Sequence, residues 1–147
     1  MTLRIVVADD HAPFRSCLKA LLERQPGVAE ITEIDGGRQA VDHMARPGAD
    51  GLPDVLILDL EMSDLGGLAS ARQILSCQPQ ARILILSWHD DLPLVDAAID
   101  AGVRGYMLKD DPLPELLQAI GDIAAGRTYL SRALRAQLSG RPMSAFC

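Results

Sequence analysis

Four apolar runs in this chain stop abruptly at a polar residue suited to phosphate chemistry. No other feature constrains the fold as strongly. Leu3–Ala8 runs into Asp9 and Asp10, 55–58 into Asp59, 83–86 into Ser87, and 106–108 into Lys109. If these runs are neighbouring parallel strands, their carboxyl ends share one sheet edge, where open α/β folds bind ligands. Three carboxylates, a hydroxyl and an ammonium then meet in one cleft, an arrangement suited to a divalent cation and a phosphoryl group.

The segments between the runs have helical spacing. A helix is expected over about 13–25, where Phe14, Cys17, Leu18, Leu21 and Leu22 form one apolar stripe. Pro13 suits its first turn. Gly27 breaks it before a second strand, Val28–Ile34. Further helices are expected at Gly37–Ala45, 65–77, Leu92–Ala101 and 112–125, with strands at 54–59, 82–87 and Gly105–Leu108 between them. Gly102 is a C-cap candidate. The rhythm predicts a doubly wound, five-stranded parallel sheet with five flanking helices. A single domain is expected over 1–128. Residues 129–147 read as a linker or C-terminal tail, with a short helix around 132–138.

A chain of 147 residues that is 48% hydrophobic has room for one domain with a sizeable core. Aromatics make up only 3%, so that core must be aliphatic. A net charge of −6 argues against tight contact with nucleic acid. Cys17, Cys77 and Cys147 show no metal-ligand or disulfide spacing and read as reduced thiols. No apolar stretch approaches the roughly 20 residues of a membrane span, and the N-terminus lacks a signal-peptide pattern. A soluble, cytoplasmic protein without membrane contact is expected.

Each polar residue has an ordinary structural reading as well. Asp9 or Asp10 alone could cap a helix, Asp59 could open a loop, Ser87 could sit in a turn, and Lys109 could be solvated. Two adjacent acids exceed what one cap requires. Packed with Asp59, each close pair would repel by about 4 kcal/mol at an intermediate effective dielectric. A hard cation relieves that repulsion. Magnesium suits such carboxylates together with a backbone carbonyl, that of Glu61 being best placed. Ser87 could hydrogen-bond a phosphate oxygen, and Lys109 could neutralise a phosphoryl group or pair with Asp59.

The stretches Asp9-Asp10, Asp54-Val55-Leu56-Ile57-Leu58-Asp59-Leu60-Glu61-Met62, Leu86-Ser87 and Gly105-Tyr106-Met107-Leu108-Lys109 resemble the receiver domain of bacterial two-component response regulators. The resemblance covers about residues 3–126. Asp9-Asp10-His11, Leu108-Lys109-Asp110 and Ala124-Ala125-Gly126-Arg127-Thr128-Tyr129-Leu130-Ser131 are similar to the LuxR-type (NarL-like) branch.

The resemblance implies a flavodoxin-like fold in which Asp59 accepts phosphate from a sensor histidine kinase. Asp9, Asp10, Asp59 and the Glu61 carbonyl would hold Mg2+, and Lys109 and Ser87 would contact the phosphoryl group. Tyr106 would turn inward as Ser87 moves. It also implies a phosphoprotein that assists its own phosphorylation and dephosphorylation rather than a classical enzyme. A homodimer through the first and fifth helices is implied as well, and so is control of transcription through a helix-turn-helix domain.

Several residues depart from that pattern. Ser63 stands where proline is common and is expected to make the loop beyond Asp59 less rigid, and Gly66-Gly67, which replaces an acidic or amide residue followed by glycine, is expected to loosen the start of the third helix. Trp88 stands where small residues are usual, and is expected either to narrow access to Asp59 or to fold outward over the fourth helix. Asp110 replaces a common proline, after a peptide bond that is cis in such relatives. No helix-turn-helix follows, and Arg132, Arg135 and Arg141 are the only basic residues of the tail, so a chain truncated after its receiver is expected. Two other readings stand beside the switch. One is a degenerate or stand-alone receiver acting as a phosphate-independent interaction module. The other is a haloacid-dehalogenase-like phosphohydrolase, whose pattern needs a second Asp where this chain has Glu61.

Overall fold

A computed structural model describes residues 2–137. The elements alternate as β1 (Leu3–Ala8), α1 (Ala12–Glu23), β2 (Val28–Ile34), α2 (Gly37–Ala45), β3 (Val55–Asp59), α3 (Gly67–Cys77), β4 (Ile83–Ser87), α4 (Leu92–Ala101), β5 (Gly105–Leu108), α5 (Leu113–Ala124), β6 (Tyr129–Leu130) and α6 (Arg132–Gln137). All strands pair in parallel in the order β2-β1-β3-β4-β5-β6. Parallel strands need crossovers, and the helices supply them on both faces.

The strand period of two sends alternate residues to opposite layers. Val6, Ala8, Leu56, Leu58, Ile83 and Ile85 join Met44, Ile74 and Val95 in one cluster. Ile5, Val7, Val55, Ile57, Leu84 and Leu86 join Leu18, Leu22, Leu116 and Ile120 in the other. The near-continuous aliphatic runs of β3 and β4 are thus explained by burial on both faces. Every residue of these two strands is buried.

Among the described residues there are six strands, all in one sheet, and six helices, not five and five. After α5, Gly126 turns the chain with φ of 89°. The Tyr129 N–H then donates to the Arg104 carbonyl and the Ser131 N–H to the Tyr106 carbonyl. This short strand covers the otherwise unpaired edge of β5. Gly105 allows the approach, since a Cβ there would lie 3.0 Å from the Tyr129 oxygen and 2.6 Å from Ile123 Cδ1. The stretch expected to begin a linker therefore opens by extending the sheet, and Leu134 of α6 is fully buried. Leu138, Arg141, Cys147 and the rest of the expected tail lie outside the described residues.

Gly102 closes α4 in the left-handed region, with φ of 104°, and Pro13 lies in the first turn of α1. α3 starts two residues later than its apolar pattern suggests, because Gly66 is its N-cap. Among the described residues no peptide bond is cis, so the Lys109–Asp110 bond is trans.

Candidate functional site

The parallel order places the ends of β1, β3, β4 and β5 side by side, at the edge where such sheets carry ligands. Asp9 follows β1, Asp59 and Ser87 end β3 and β4, and Lys109 follows β5. Ligand oxygens of Asp9, Asp10 and Asp59 lie within 4.8 Å of one another. Asp9 and Asp59 are buried and Asp10 is exposed. The Lys109 ammonium lies 3.0 Å from Asp9 Oδ2 and 3.2 Å from Asp59 Oδ1. Residues separated by up to 100 positions thus form one charged cluster.

The loops around β1 fix Asp9. Its Oδ1 accepts from the His11 N–H at 2.8 Å, and its backbone carbonyl accepts from Arg15 Nη1 at 2.6 Å. Arg15 is held in turn by Glu33 at 3.0 Å, which ties α1 to β2. Asp59 Oδ1 accepts weakly from the Glu61 N–H at 3.3 Å.

Electrostatics follow from this crowding. Burial, with the charge of Asp9, pushes the Asp59 carboxyl up to about 6, only partly opposed by Lys109 and the Glu61 N–H. Burial also disfavours the Lys109 ammonium, but its hydrogen bond to Asp9 and the charge of Asp59 outweigh that and raise its pKa. One ammonium faces three carboxylates. The oxygen-only donor set fits a hard divalent cation, and magnesium in particular.

Ser87 is fully buried. Its Oγ donates to Glu61 Oε1 at 2.6 Å and accepts from the His89 N–H at 2.9 Å. His89 Nε2 lies 3.4 Å from the same Glu61 oxygen. Tyr106 is fully buried, and its hydroxyl donates to the His89 carbonyl at 3.0 Å. The tyrosine is therefore inward while Ser87 is still bound to Glu61.

Trp88 does not fold over α4. It is 58% exposed and meets Phe14 of α1 edge-on, with ring centroids 6.2 Å apart. The Lys109 ammonium lies 4.5 Å from the Phe14 centroid and 5.9 Å from that of Trp88. Attraction of the cation to the two rings explains the direction the indole takes.

The loop after Asp59 is also better braced than its sequence suggests. Ser63 donates from both its N–H (2.8 Å) and its Oγ (2.9 Å) to Asp10 Oδ2. Asp64 accepts from the Gly37 and Arg38 N–H groups at the start of α2, and these and other backbone N–H donors hold its carboxyl down at about 2. Gly67 is required by packing, because a Cβ there would lie 2.3 Å from the Asp59 carbonyl oxygen.

All eight residues singled out from the sequence, Asp9, Asp10, Asp59, Glu61, Ser87, Trp88, Tyr106 and Lys109, lie at or beside this edge. Sequence reasoning missed Phe14 as a lid on Lys109, His89 as a partner of Ser87 and Tyr106, and the Glu61 side chain. Phe14 is masked by its place in a core stripe. Glu61 and His89 each follow a site residue by two positions, which is the signal that was available.

The response regulator receiver domain family matches residues 5–121. The chain is 33% identical over 138 residues to the transcriptional regulatory protein NarL of Mycobacterium tuberculosis, covering 94% of this chain and 62% of NarL. It is 30% identical over 128 residues to the transcriptional regulatory protein DegU of Brevibacillus brevis, covering 87% of this chain and 52% of DegU. The chain thus spans about half to three-fifths of these relatives. A LuxR-family two-component response regulator from Aurantimonas superposes with a TM-score of 0.86 at 32% identity, covering 95% of this chain and 96% of that one. The chain belongs to the receiver domain family of response regulators, among relatives of the NarL and LuxR type.

Proposed function

We propose that this chain is a phosphorylation-activated switch with Asp59 as the phosphoacceptor. The observation carrying this reading is the convergence of Asp59 with Asp9, Asp10 and Lys109 at one strand edge. An Asp59 carboxylate oxygen attacks the phosphorus of a phosphohistidine on a sensor kinase. The new P–O bond replaces the P–N bond, and the imidazole leaves carrying the bonding pair, to be protonated. Asp9, Asp10, Asp59 and the Glu61 carbonyl would hold Mg2+, which when bound would neutralise charge on the phosphoryl oxygens. Lys109 holds the phosphoryl group, and Ser87 turns to donate to it once its bond to Glu61 is released.

That exchange moves the segment Ser87-Trp88-His89, whose His89 carbonyl holds the Tyr106 hydroxyl. The switch therefore runs from Ser87 through this segment to Tyr106 and the α4–β5 surface. Its output is control of transcription through a DNA-binding helix-turn-helix domain beyond the receiver, which takes in β6 and α6 as well as residues 1–128. A homodimer through α1 and α5 uses the apolar cleft of Phe14, Cys17, Leu18, Leu21, Leu113 and Leu116. Among the described residues no helix is long and apolar enough to cross a membrane, in keeping with a cytoplasmic signalling protein.

Incubation with acetyl phosphate and magnesium adds one phosphate to the wild type and none to Asp59→Asn, read by intact-protein mass spectrometry. No mass increase in the wild type overturns this function. The tight Ser87–Glu61 contact favours one other reading, a phosphate-independent interaction module. Equal partner binding by Asp59→Ala and by phosphorylated wild type would select it.

A further inference from the structure

We propose that Ser63 is a positioning residue that holds Asp10 in the geometry required for cation binding. The inference rests on the magnesium-dependent switch described above and adds to it a device specific to this chain. Asp9 and Asp59 are buried and share the Lys109 ammonium. Asp10 has neither support. It is exposed, and among the described residues the hydrogen bonds to its carboxylate are the two from Ser63, at 2.8 and 2.9 Å.

Without those bonds, repulsion from Asp9 and Asp59 drives an exposed aspartate toward rotamers that point into water. Both donors meet the same oxygen, Oδ2. Oδ1 accepts no hydrogen bond from the described residues, which leaves it for a cation. Ser63 is itself fixed, because Asp64 is fastened to the Gly37 and Arg38 N–H groups. The anchored loop thus carries a ligand-orienting clamp across 53 positions of sequence. Proline at this position would supply neither donor. Partners of this kind outside the ligand set typically change metal affinity by about 10–100-fold.

The test is titration of the intact chain with magnesium chloride, followed by emission of Trp88, the only tryptophan, and by calorimetry. Ser63→Ala is expected to weaken magnesium affinity by about tenfold, the low end of that range, because the backbone donor remains. Ser63→Thr, which keeps the hydroxyl, is expected to retain wild-type affinity. Melting temperatures of the three proteins in EDTA should coincide, since the clamp acts on the ligand and not on the core. Equal or tighter magnesium binding by Ser63→Ala overturns the proposal and leaves the switch standing. A loss shared equally by Ser63→Thr also overturns it. If the wild type binds no magnesium and Asp10→Asn behaves identically, the magnesium reading itself falls, and the clamp with it.

Discussion

Asp59 and Lys109 are buried to a similar degree, yet burial affects them differently because their neighbours differ. Lys109 has two carboxylates to offset its lost hydration, whereas Asp59 must share one ammonium with Asp9. The folded-state carboxyl of Asp59 is therefore raised to about 6 from its ordinary range near 3.8. The protonated form is the one that folding favours. Its stabilisation is fully present below about pH 4 and is lost as pH rises through about 6.

Without metal, then, Asp59→Asn should stabilise the protein at pH 7 by on the order of 1–2 kcal/mol, discounted for solvent screening. At pH 4 little difference should remain. Urea unfolding in EDTA at the two pH values measures this, and a gain of equal size at both would contradict it. The Glu61 side chain is the second residue-scale lever. Glu61→Ala frees the Ser87 hydroxyl, and if the lost contact is worth about 1 kcal/mol, labelling by acetyl phosphate should quicken roughly fivefold. Time-resolved mass spectrometry follows this, and an unchanged rate would remove the Ser87–Glu61 bond from the switch.

At the scale of elements, adjacent glycines have different tasks. A Cβ on Gly67 would lie 2.3 Å from the Asp59 carbonyl oxygen and 2.7 Å from Leu60 Cα, both backbone atoms of the acceptor segment. A Cβ on Gly66 meets nothing closer than the Leu60 oxygen at 4.0 Å. Gly67→Ala should therefore cost about 1–3 kcal/mol in denaturant unfolding, while Gly66→Ala should be nearly neutral. Equal effects would mean that α3 is free to shift away from β3.

The C-terminal elements rest on a buried carboxylate. Glu115 accepts from the Tyr129 hydroxyl at 2.9 Å and from the Arg132 N–H at 2.8 Å. Glu115→Ala leaves both donors without that acceptor and should cost about 1–3 kcal/mol. Hydrogen exchange should quicken across 129–137 before it does in β4. Uniform acceleration along the chain would show instead that β6 and α6 open only with the whole sheet.

For the whole molecule, metal binding and folding should be linked. Any ligand that binds the native cluster stabilises it by mass action, about 2.7 kcal/mol at one hundred times its dissociation constant. Magnesium should raise the melting temperature of the wild type and have much less effect on Asp10→Asn. Equal shifts in both proteins would place the effect outside the cluster.

The alternating apolar runs determined the α/β class, the parallel sheet and the edge holding the polar residues. These properties follow from chemistry local to each segment: a run of four to six β-branched and aliphatic residues between turn signals fits a strand buried on both faces better than a helix, and its polar terminus then lies at the end of that strand. Two parts of the molecule were not local in this way. The sixth strand is two residues long, too short for any periodicity, and exists because β5 leaves an unpaired edge that Tyr129 and Leu130 can satisfy. The side-chain partnerships around the site, Ser63 with Asp10, Glu61 with Ser87, and Phe14 with Trp88 and Lys109, join segments far apart in the chain. Residue types restrict who could meet; which donor reaches which oxygen depends on crossovers and loop paths that only the packed tertiary structure decides.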